Sequence, residues 1–171
     1  MGRAQSATEN SDATMPPFGT LDAGYFARLR VQVADVMTAD IEFVEAGMSV
    51  AEVAATMGDL SVGALPVGSA DDLQGIITDR DILFRVVAKG LSNAEVTAGE
   101  VMTTTIFSCR QEDAITTALD LMGARNIRRL PVLDANGRMI GLVTLSDLSR
   151  TMLLSSGVIA RAVQELSGMR A

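Results

Sequence analysis

The apolar residues of this chain recur with a helical period in two separate segments. In each segment, four of them fall at positions i, i+3, i+4 and i+7: Val50, Val53, Ala54 and Met57 in the first, and Ile115, Ala118, Leu119 and Met122 in the second. This spacing places them along one face of an amphipathic helix. Ser49 and Glu52 form a capping-box sequence before the first helix, and Asp113 is expected to cap the second. The pattern therefore predicts two equivalent helices, each with one buried face.

Short apolar runs bounded by polar turns predict three strands in each segment. They are residues 41–44, 64–67 and 75–78 in the first segment, and residues 106–107, 130–133 and 139–144 in the second. A further helix is expected to start near Asp79, and a matching one near Leu145. Four residues are expected on the apolar face of the Asp79 helix: Ile82, Leu83, Val86 and Val87. Each segment then has the order β-α-β-β-α, and a unit this small is marginally stable alone.

Three sequence blocks recur in both segments and identify them as an internal repeat. DVMT at 35–38 recurs as EVMT at 100–103, ALPV at 64–67 as RLPV at 129–132, and GIITDRDI at 75–82 as GLVTLSDL at 141–148. The first two pairs are separated by 65 residues and the third by 66. A repeat of this length is a supersecondary unit, and two such units usually bury a face against each other. Clefts lined by both copies are therefore expected between them.

The repeats set the expected organisation of the chain. Residues 1–20 are mostly polar or small and predict a flexible tail, and residues 21–31 predict a short helix. Repeat 1 is expected over residues 32–91 and repeat 2 over residues 96–153, followed by a C-terminal helix over residues 154–171. The predicted fold class is α/β, of the α+β kind, with two β-α-β-β-α repeats packed about a pseudo-two-fold axis.

Composition and charge narrow the classes of function. The 171 residues are 48% hydrophobic and carry a net charge of −7 at pH 7, so the chain can build a core and is not expected to bind nucleic acid. It has no histidine, which removes the commonest general base and zinc ligand. Cys109 is the single cysteine, and no secretory signal or membrane-spanning run is found. We therefore expect a non-catalytic protein of the reducing cytoplasm with no membrane partner.

The recurring blocks resemble a tandem pair of CBS domains, known as a Bateman module. The resemblance covers residues 33–150 and rests on the LPV strand and the following G-x-x-T-x-x-D turn, present in both copies. The whole chain resembles the stand-alone bacterial CBS-pair proteins. This implies a regulatory module for an adenine nucleotide, with AMP the first choice, ADP, ATP or NAD as alternatives, and S-adenosylmethionine bound by some relatives. It also implies a homodimer, a client protein of unknown identity, and no required metal.

Thr78 and Asp81 are the first candidate ligand-binding residues, because they lie where a strand ends and a helix starts. The free N–H groups of a first helical turn can hold a phosphate oxygen, and an ionised carboxylate can accept hydrogen bonds from ribose hydroxyls. Thr144 and Asp147 repeat the pair. The same spacing is also a capping box, which the spacing alone favours. The resemblance favours a nucleotide site in at least one cleft.

Arg128 and Arg129 are implied by the resemblance to reach phosphates in the cleft of Thr78 and Asp81. Arginine suits that role because it is permanently charged and can bind an anion through two hydrogen bonds. Their positions in repeat 1 are taken by glycine and alanine, so the two clefts are expected to be unequal. Two solvated surface arginines are the alternative interpretation.

Thr103 and Phe107 are implied by the same correspondence to face the base in the first cleft. Backbone groups there would read the adenine edge, and Phe107 would add apolar contact; plain core filling is the alternative for Phe107. The second cleft is implied to use six residues: Thr144, Asp147, Thr38, Glu42, Gly63 and Ala64. Its small Gly63–Ala64 edge is expected to let a ligand approach closely.

A ligand-free interaction or dimerisation module is the main alternative function. Under this hypothesis the Thr-x-x-Asp blocks only cap helices, and apolar helices near Phe26 and Ile159 dock on a client protein. An enzyme is disfavoured, because the sequence offers no histidine, no metal-binding cluster and no activated nucleophile.

Overall fold

Two consecutive segments of the chain share the order helix, strand, strand, helix, and the second has a further short helix and strand before it. The computed structural model describes residues 31–155. The first segment contains helix α1 (Val50–Asp59), strands β1 (Ala64–Gly68) and β2 (Leu73–Thr78), and helix α2 (Asp79–Arg85). The second contains helix α3 (Ala98–Val101), strand β3 (Cys109–Arg110), helix α4 (Ile115–Arg125), strands β4 (Arg129–Leu133) and β5 (Met139–Thr144), and helix α5 (Leu145–Ser155). Single 3-10 turns lie at Val33–Asp35 and Val87–Lys89.

An antiparallel hairpin with the same register organises each repeat. β1 pairs with β2 so that Ala64 lies opposite Thr78, and β4 pairs with β5 so that Arg129 lies opposite Thr144. The predicted α+β class with two equivalent repeats is therefore confirmed. The tail predicted over residues 1–20 and the helices predicted over residues 21–31 and 154–171 lie outside the described residues, except at their inner edges.

The first strand of each repeat begins later in the chain than predicted. In repeat 2 it is β3, which runs parallel to β4, whereas the prediction was residues 106–107. In repeat 1 the predicted strand 41–44 is reduced to a parallel bridge between Val44 and Val67, so the sheet there has two strands. The residues before Val44 and before β3 border the clefts described below. The sheet therefore ends where the clefts begin.

A side-chain cap marks the start of α1, but none marks the start of α4. The Ser49–Glu52 capping box is confirmed: Glu52 N–H donates to Ser49 Oγ at 3.3 Å, and Ser49 N–H donates to Glu52 Oε2 at 3.0 Å. The predicted cap at Asp113 is wrong. Ala114 precedes α4, and Asp113 accepts a hydrogen bond from Arg110 N–H at 2.8 Å. The Asp113 carboxylate therefore closes the turn before α4 instead of bonding its first N–H groups.

Each repeat completes its core with residues from the other repeat. The core around β1 and β2 includes Ala98 and Val101 of α3, which belongs to repeat 2 by sequence. The core around β4 and β5 includes Val33, which precedes the helices and strands of repeat 1. All three side chains are at most 2% exposed. We call residues 31–38 and 98–103 the lead-ins; they are exchanged, so the two cores depend on each other.

Paired backbone hydrogen bonds hold each lead-in against the hairpin of the other repeat. Thr103 N–H donates to the Ile76 carbonyl at 2.8 Å, and Ile76 N–H donates to the Thr103 carbonyl at 3.0 Å. Thr38 and Leu142 exchange two equivalent bonds of 2.9 Å. Each lead-in therefore adds a short antiparallel bridge to the second hairpin strand of the opposite repeat.

A glycine in each hairpin makes this close approach possible. A Cβ on Gly75 would overlap the side chain of Met102, and a Cβ on Gly141 would lie 2.7 Å from Met37 Sδ and 3.0 Å from the Thr38 carbonyl oxygen. A residue without a side chain lets another backbone come this near. The glycine that opens each G-x-x-T block therefore serves the contact between the repeats.

Helix α2 and the following turn bury only part of the predicted apolar face. Val86 is fully buried and Ile82 packs against the core, as predicted. Leu83 and Val87 are 52% and 60% exposed, which contradicts the prediction for them. Helix α2 lies at the edge of the repeat, so its outer side meets no other element among the described residues. Four exposed apolar side chains form what we call the α2 patch: Leu83, Phe84, Val87 and Leu91.

Candidate functional site

A cleft of about 530 Å3 lies between the repeats, and we call it the first cleft. It is bordered by the β2–α2 junction, by the chain that follows α3, and by the approach to β4. All six residues that the sequence analysis assigned to it border this one cavity: Thr78, Asp81, Thr103, Phe107, Arg128 and Arg129. Small-molecule sites have volumes of about 300–1,000 Å3, so the cleft can hold a ligand of nucleotide size.

The second cleft, also of about 530 Å3, is built from the equivalent segments with the repeats exchanged. The six residues assigned to it all border this cavity: Thr38, Glu42, Gly63, Ala64, Thr144 and Asp147. Two equivalent cavities follow from the exchange of lead-ins, because each hairpin meets the lead-in of the opposite repeat. The structure thus brings each predicted group of six residues together.

In both clefts the threonine and aspartate form the same capping box at the start of a helix. Asp81 Oδ2 accepts hydrogen bonds from the N–H and hydroxyl of Thr78 at 3.0 and 2.6 Å, and Asp81 N–H donates to Thr78 Oγ1 at 3.2 Å. The corresponding distances for Thr144 and Asp147 are 3.1, 2.6 and 3.2 Å. The capping interpretation is therefore confirmed. A ligand would use the second carboxylate oxygen, which the capping box leaves available.

Arg85 distinguishes the two aspartates. Its Nη2 lies 3.2 Å from Asp81 Oδ1. The same guanidinium donates to the carbonyls of residues 101 and 102 at 2.6 and 3.1 Å, and to Thr103 Oγ1 at 3.1 Å. Arg85 thus ties Asp81 of repeat 1 to the lead-in of repeat 2 on one wall of the first cleft. Within residues 31–155, no ion pair reaches Asp147.

The first N–H groups of α2 are bonded inside the protein, although the sequence analysis expected them to be free. Asp79 N–H donates to the Gly63 carbonyl at 3.2 Å, and Arg80 N–H donates to Asp79 Oδ1 at 2.7 Å. Asp81 N–H is held by the capping box described above. A phosphate in the first cleft would therefore depend on side chains rather than on the helix terminus.

The main-chain groups of Thr103 are also in use, because they form the bridge to Ile76. Its N–H group is thus not available to read an adenine edge. Phe107 borders the first cleft and also packs against the core around β4 and β5. The Arg125 guanidinium lies 4.5 Å from the centroid of the Phe107 ring. Phe107 therefore fills part of the core and at the same time offers an apolar wall to the cleft.

Arg128 and Arg129 meet the clefts differently. Arg128 is exposed and borders the first cleft, whereas Arg129 is half-buried and borders both clefts. Arg129 Nη2 lies 3.0 Å, and Asp79 Oδ2 lies 2.9 Å, from the position that a Cβ on Gly63 would take. The space beside Gly63, which was expected to admit a ligand closely, is therefore already used by these two side chains.

Two charged residues at the clefts escaped the sequence analysis. Arg80 borders the first cleft, with its guanidinium 5.0 Å from the ring centroid of Phe84. Asp40 borders the second cleft and is equivalent to Thr105, which borders the first. The repeat itself carried a signal for Asp40, because the 65-residue offset pairs it with Thr105, two residues after the assigned Thr103.

Cys109 lies in β3, away from the residues that border the clefts, and is 5% exposed. Burial, with a smaller contribution from the Asp113 carboxylate, raises the pKa of its thiol to about 11. The thiol is therefore protonated and unreactive at neutral pH. In the described part of the chain, no three His, Cys, Asp or Glu side chains are grouped to hold a metal ion, and none of the helices has the length and apolar character to cross a bilayer.

The CBS domain model matches residues 33–88 and 98–154 of this chain. The CBS domain-containing protein YhcV of Bacillus subtilis is 37% identical over 117 residues, which cover 68% of this chain and 82% of YhcV. Among solved structures, this chain is similar to the CBS domain pair of protein MJ0100, with a TM-score of 0.64 and 26% identity, covering 71% of this chain and 94% of that one. That structure is in complex with 5′-methylthioadenosine and S-adenosyl-L-methionine. Hypoxic Response Protein I with two coordinated zinc ions is similar with a TM-score of 0.61 and 33% identity, covering 71% and 98%.

Proposed function

The chain belongs to the CBS-domain family, and from this we propose that it is a non-catalytic regulatory module that binds an adenosine-containing ligand between its repeats. The observation that carries the proposal is the pair of equivalent clefts, each bordered by a threonine–aspartate pair from one repeat and by the lead-in of the other. The similar CBS pair of protein MJ0100 is in complex with two adenosine-containing ligands, which supports this ligand class.

In the first cleft, we propose an adenine nucleotide, with AMP as the first choice. Arg128 and Arg129 would bind the phosphate by charge-assisted hydrogen bonds. Asp81, with Thr78, would accept the ribose hydroxyls through the carboxylate oxygen that now faces Arg85. The chain around Thr103 and Phe107 would form the wall against the base, where an aromatic ring offers apolar contact.

A ligand in either cleft would touch both repeats at once, and this provides a means of regulation. Each lead-in contacts the hairpin of the opposite repeat directly, through the paired backbone hydrogen bonds of the bridge beside the cleft. A ligand that fits one relative placement of hairpin and lead-in better than another shifts the protein toward that placement. We propose that this shift is what a client protein in the cytoplasm detects.

Replacing Asp81 by alanine is expected to weaken AMP binding by roughly 10- to 150-fold, because a hydrogen bond to a charged group contributes about 1.5–3 kcal/mol. Isothermal titration of the purified full chain with AMP measures the change. Glu52→Ala is the matched control, since Glu52 forms an equivalent capping box with Ser49 but does not border either cleft. Equal weakening by both substitutions would mean that the loss comes from helix capping, and undiminished binding by the Asp81 variant would refute the site.

We also propose that the protein is a homodimer that buries the α2 patch. Leu83, Phe84 and Val87 are each more than half exposed and lie within the short stretch 83–87 at the end of α2 and the turn after it, and a group of exposed apolar side chains is typical of an interface. The same patch is the observation that favours the second candidate function, a ligand-free interaction module. The interaction module becomes the better-supported function if the full chain binds none of the adenosine compounds.

Val87→Glu is expected to convert the dimer to a monomer, because it would bury an unpaired charge in an apolar interface. The substitution should leave the monomer folded, since Val87 is 60% exposed. Sedimentation velocity measures the oligomeric state, and circular dichroism checks the fold. Ala135→Glu adds the same charge in the exposed turn between β4 and β5 and should leave the dimer intact. A wild-type chain that sediments as a monomer would contradict the proposal directly.

A further inference from the structure

The two clefts are equivalent in construction but opposite in charge. The first is bordered by Arg80, Arg128 and Arg129 against one acidic residue, Asp81, which gives a formal charge of +2. The second is bordered by three acidic residues, Asp40, Glu42 and Asp147. They outnumber one arginine, Arg129, which borders both clefts, so the formal charge of the second cleft is −2.

The two clefts differ in charge because different residue types occupy a few equivalent positions of the repeats. The 65-residue offset places Glu42 of the second cleft where the first has Phe107, and Asp40 where the first has Thr105. It also places Gly63 where the first cleft has Arg128, and the 66-residue offset of the third block places Ser146 where the first has Arg80. Because the backbone elements correspond, the clefts differ in the side chains they present rather than in their architecture. The charge of each cleft is thus set by residue type at a few cleft positions.

Internal pairing increases the contrast between the clefts. Asp81, the one acidic residue at the first cleft, lies 3.2 Å from the Arg85 guanidinium, which offsets its charge. Within residues 31–155, no ion pair engages Asp40, Glu42 or Asp147 at the second cleft. Among the residues that border the second cleft, Arg129 is therefore the one cation that offsets the three acidic groups.

Building on the proposed function, we propose that the two clefts select adenosine derivatives by the charge of the 5′ substituent. The first cleft takes derivatives that carry a phosphate, and the second takes derivatives whose 5′ group is uncharged or cationic. A unit charge about 4 Å from another changes an affinity roughly fivefold in water, and more where the local dielectric constant is lower. A phosphate is therefore attracted to the first cleft and repelled from the second.

The wall of the second cleft fits a ligand without phosphate in a further way. Val62, Leu65 and Pro66 border it together with the threonine–aspartate pair of repeat 2. Apolar side chains with a few polar groups are typical of sites for small, mostly apolar ligands. An adenosine whose 5′ end carries an alkylthio group would place that group on an apolar surface. A cationic ligand would also be attracted into the second cleft as a whole by the carboxylates of Asp40, Glu42 and Asp147.

Three probes with the same adenosine half test the proposal on the full chain. AMP carries a phosphate, 5′-methylthioadenosine is uncharged, and S-adenosylmethionine carries a sulfonium cation. Each is titrated calorimetrically into the wild type, into Arg128→Gln, and into the double variant Asp40→Asn/Glu42→Gln. Glu95→Gln, an exposed acidic residue that does not border either cleft, is the matched control. Titrations at about 0.01 M and about 0.1 M ionic strength show how far screening reduces each effect.

The expected results differ in sign between probes. Arg128→Gln should weaken AMP about fivefold or more, with a smaller effect on S-adenosylmethionine. The double variant should weaken S-adenosylmethionine about tenfold, change 5′-methylthioadenosine much less, and add a second, previously undetected AMP site. These differences should shrink as the ionic strength rises, and the control should match the wild type.

The outcomes separate this inference from the proposed function. If the wild type binds the probes but both variants change all three affinities in parallel, the clefts do not sort ligands by charge and the inference is overturned, while the proposed function stands. Weaker AMP binding in the double variant would overturn it as well. If the wild type binds none of the probes, the proposed function fails and the inference fails with it.

Discussion

Ile77→Ala is expected to lower the free energy of unfolding by about 2–5 kcal/mol, the range for truncating a buried isoleucine. Ile77 lies on β2, is fully buried and belongs to the core around β1 and β2. The truncation removes apolar contacts and leaves a cavity that this strand, bonded to β1 on one side and bridged to a lead-in on the other, has little freedom to close. Urea unfolding followed by circular dichroism measures the change.

Ile76→Ala is the matched control, because it is the same substitution at the adjacent residue of the same strand. Neighbouring residues of a strand point to opposite faces, and Ile76 borders the first cleft instead of the core. Ile76→Ala should lower the free energy of unfolding by about half as much as Ile77→Ala or less, since the Ile76 side chain is already partly in contact with solvent. Equal losses at the two positions would mean that the assignment of the two faces of β2 is wrong.

A fragment of residues 39–105 is expected to fold cooperatively, whereas a fragment of residues 31–97, which is also 67 residues long, should not. The core around β1 and β2 contains Ala98 and Val101, and the partly buried Met102 packs against it; only the first fragment retains these three residues. Full burial of a valine or methionine side chain contributes about 1.5–3 kcal/mol, and a unit this short has little stability to lose. The loss of these side chains therefore decides whether the fragment folds.

Thermal unfolding of both fragments, monitored by circular dichroism, measures the difference. The 31–97 fragment is a stringent control, because it contains the whole of repeat 1 as predicted from the sequence, residues 32–91, and keeps all of β1, β2 and both helices of repeat 1. A sharper or higher transition for residues 31–97 than for residues 39–105 would contradict the exchange of lead-ins.

The local structure of this protein is encoded in the sequence itself. The two amphipathic helices, the hairpins and the Ser49–Glu52 box were predicted because each depends on residues within a few positions of one another. The failure at Asp113 shows the limit of such reasoning, since a carboxylate before a helix can bond either the helix or the preceding turn. The late start of β3 has a similar origin, because strand length depends on which neighbour offers a hydrogen-bonding edge.

The grouping of residues around the clefts was predicted from the family resemblance rather than from local sequence patterns. Periodicity and spacing located the threonine–aspartate pairs, but the resemblance to CBS pairs supplied the combination of residues from both repeats. The structure gathers each group of six around one cavity. Whether those residues bind a nucleotide is decided by the titrations proposed above.

By itself, the sequence determined the repeat, the order of helices and strands, and the residue types available at each cleft. Only the tertiary structure decided that the lead-ins are exchanged, that Arg85 bonds to the lead-in of repeat 2, and that Arg129 borders both clefts. The physical reason is the range of the interactions. Caps and helical faces depend on neighbours within about one turn, whereas these three features join residues that only the packing of the two repeats brings together.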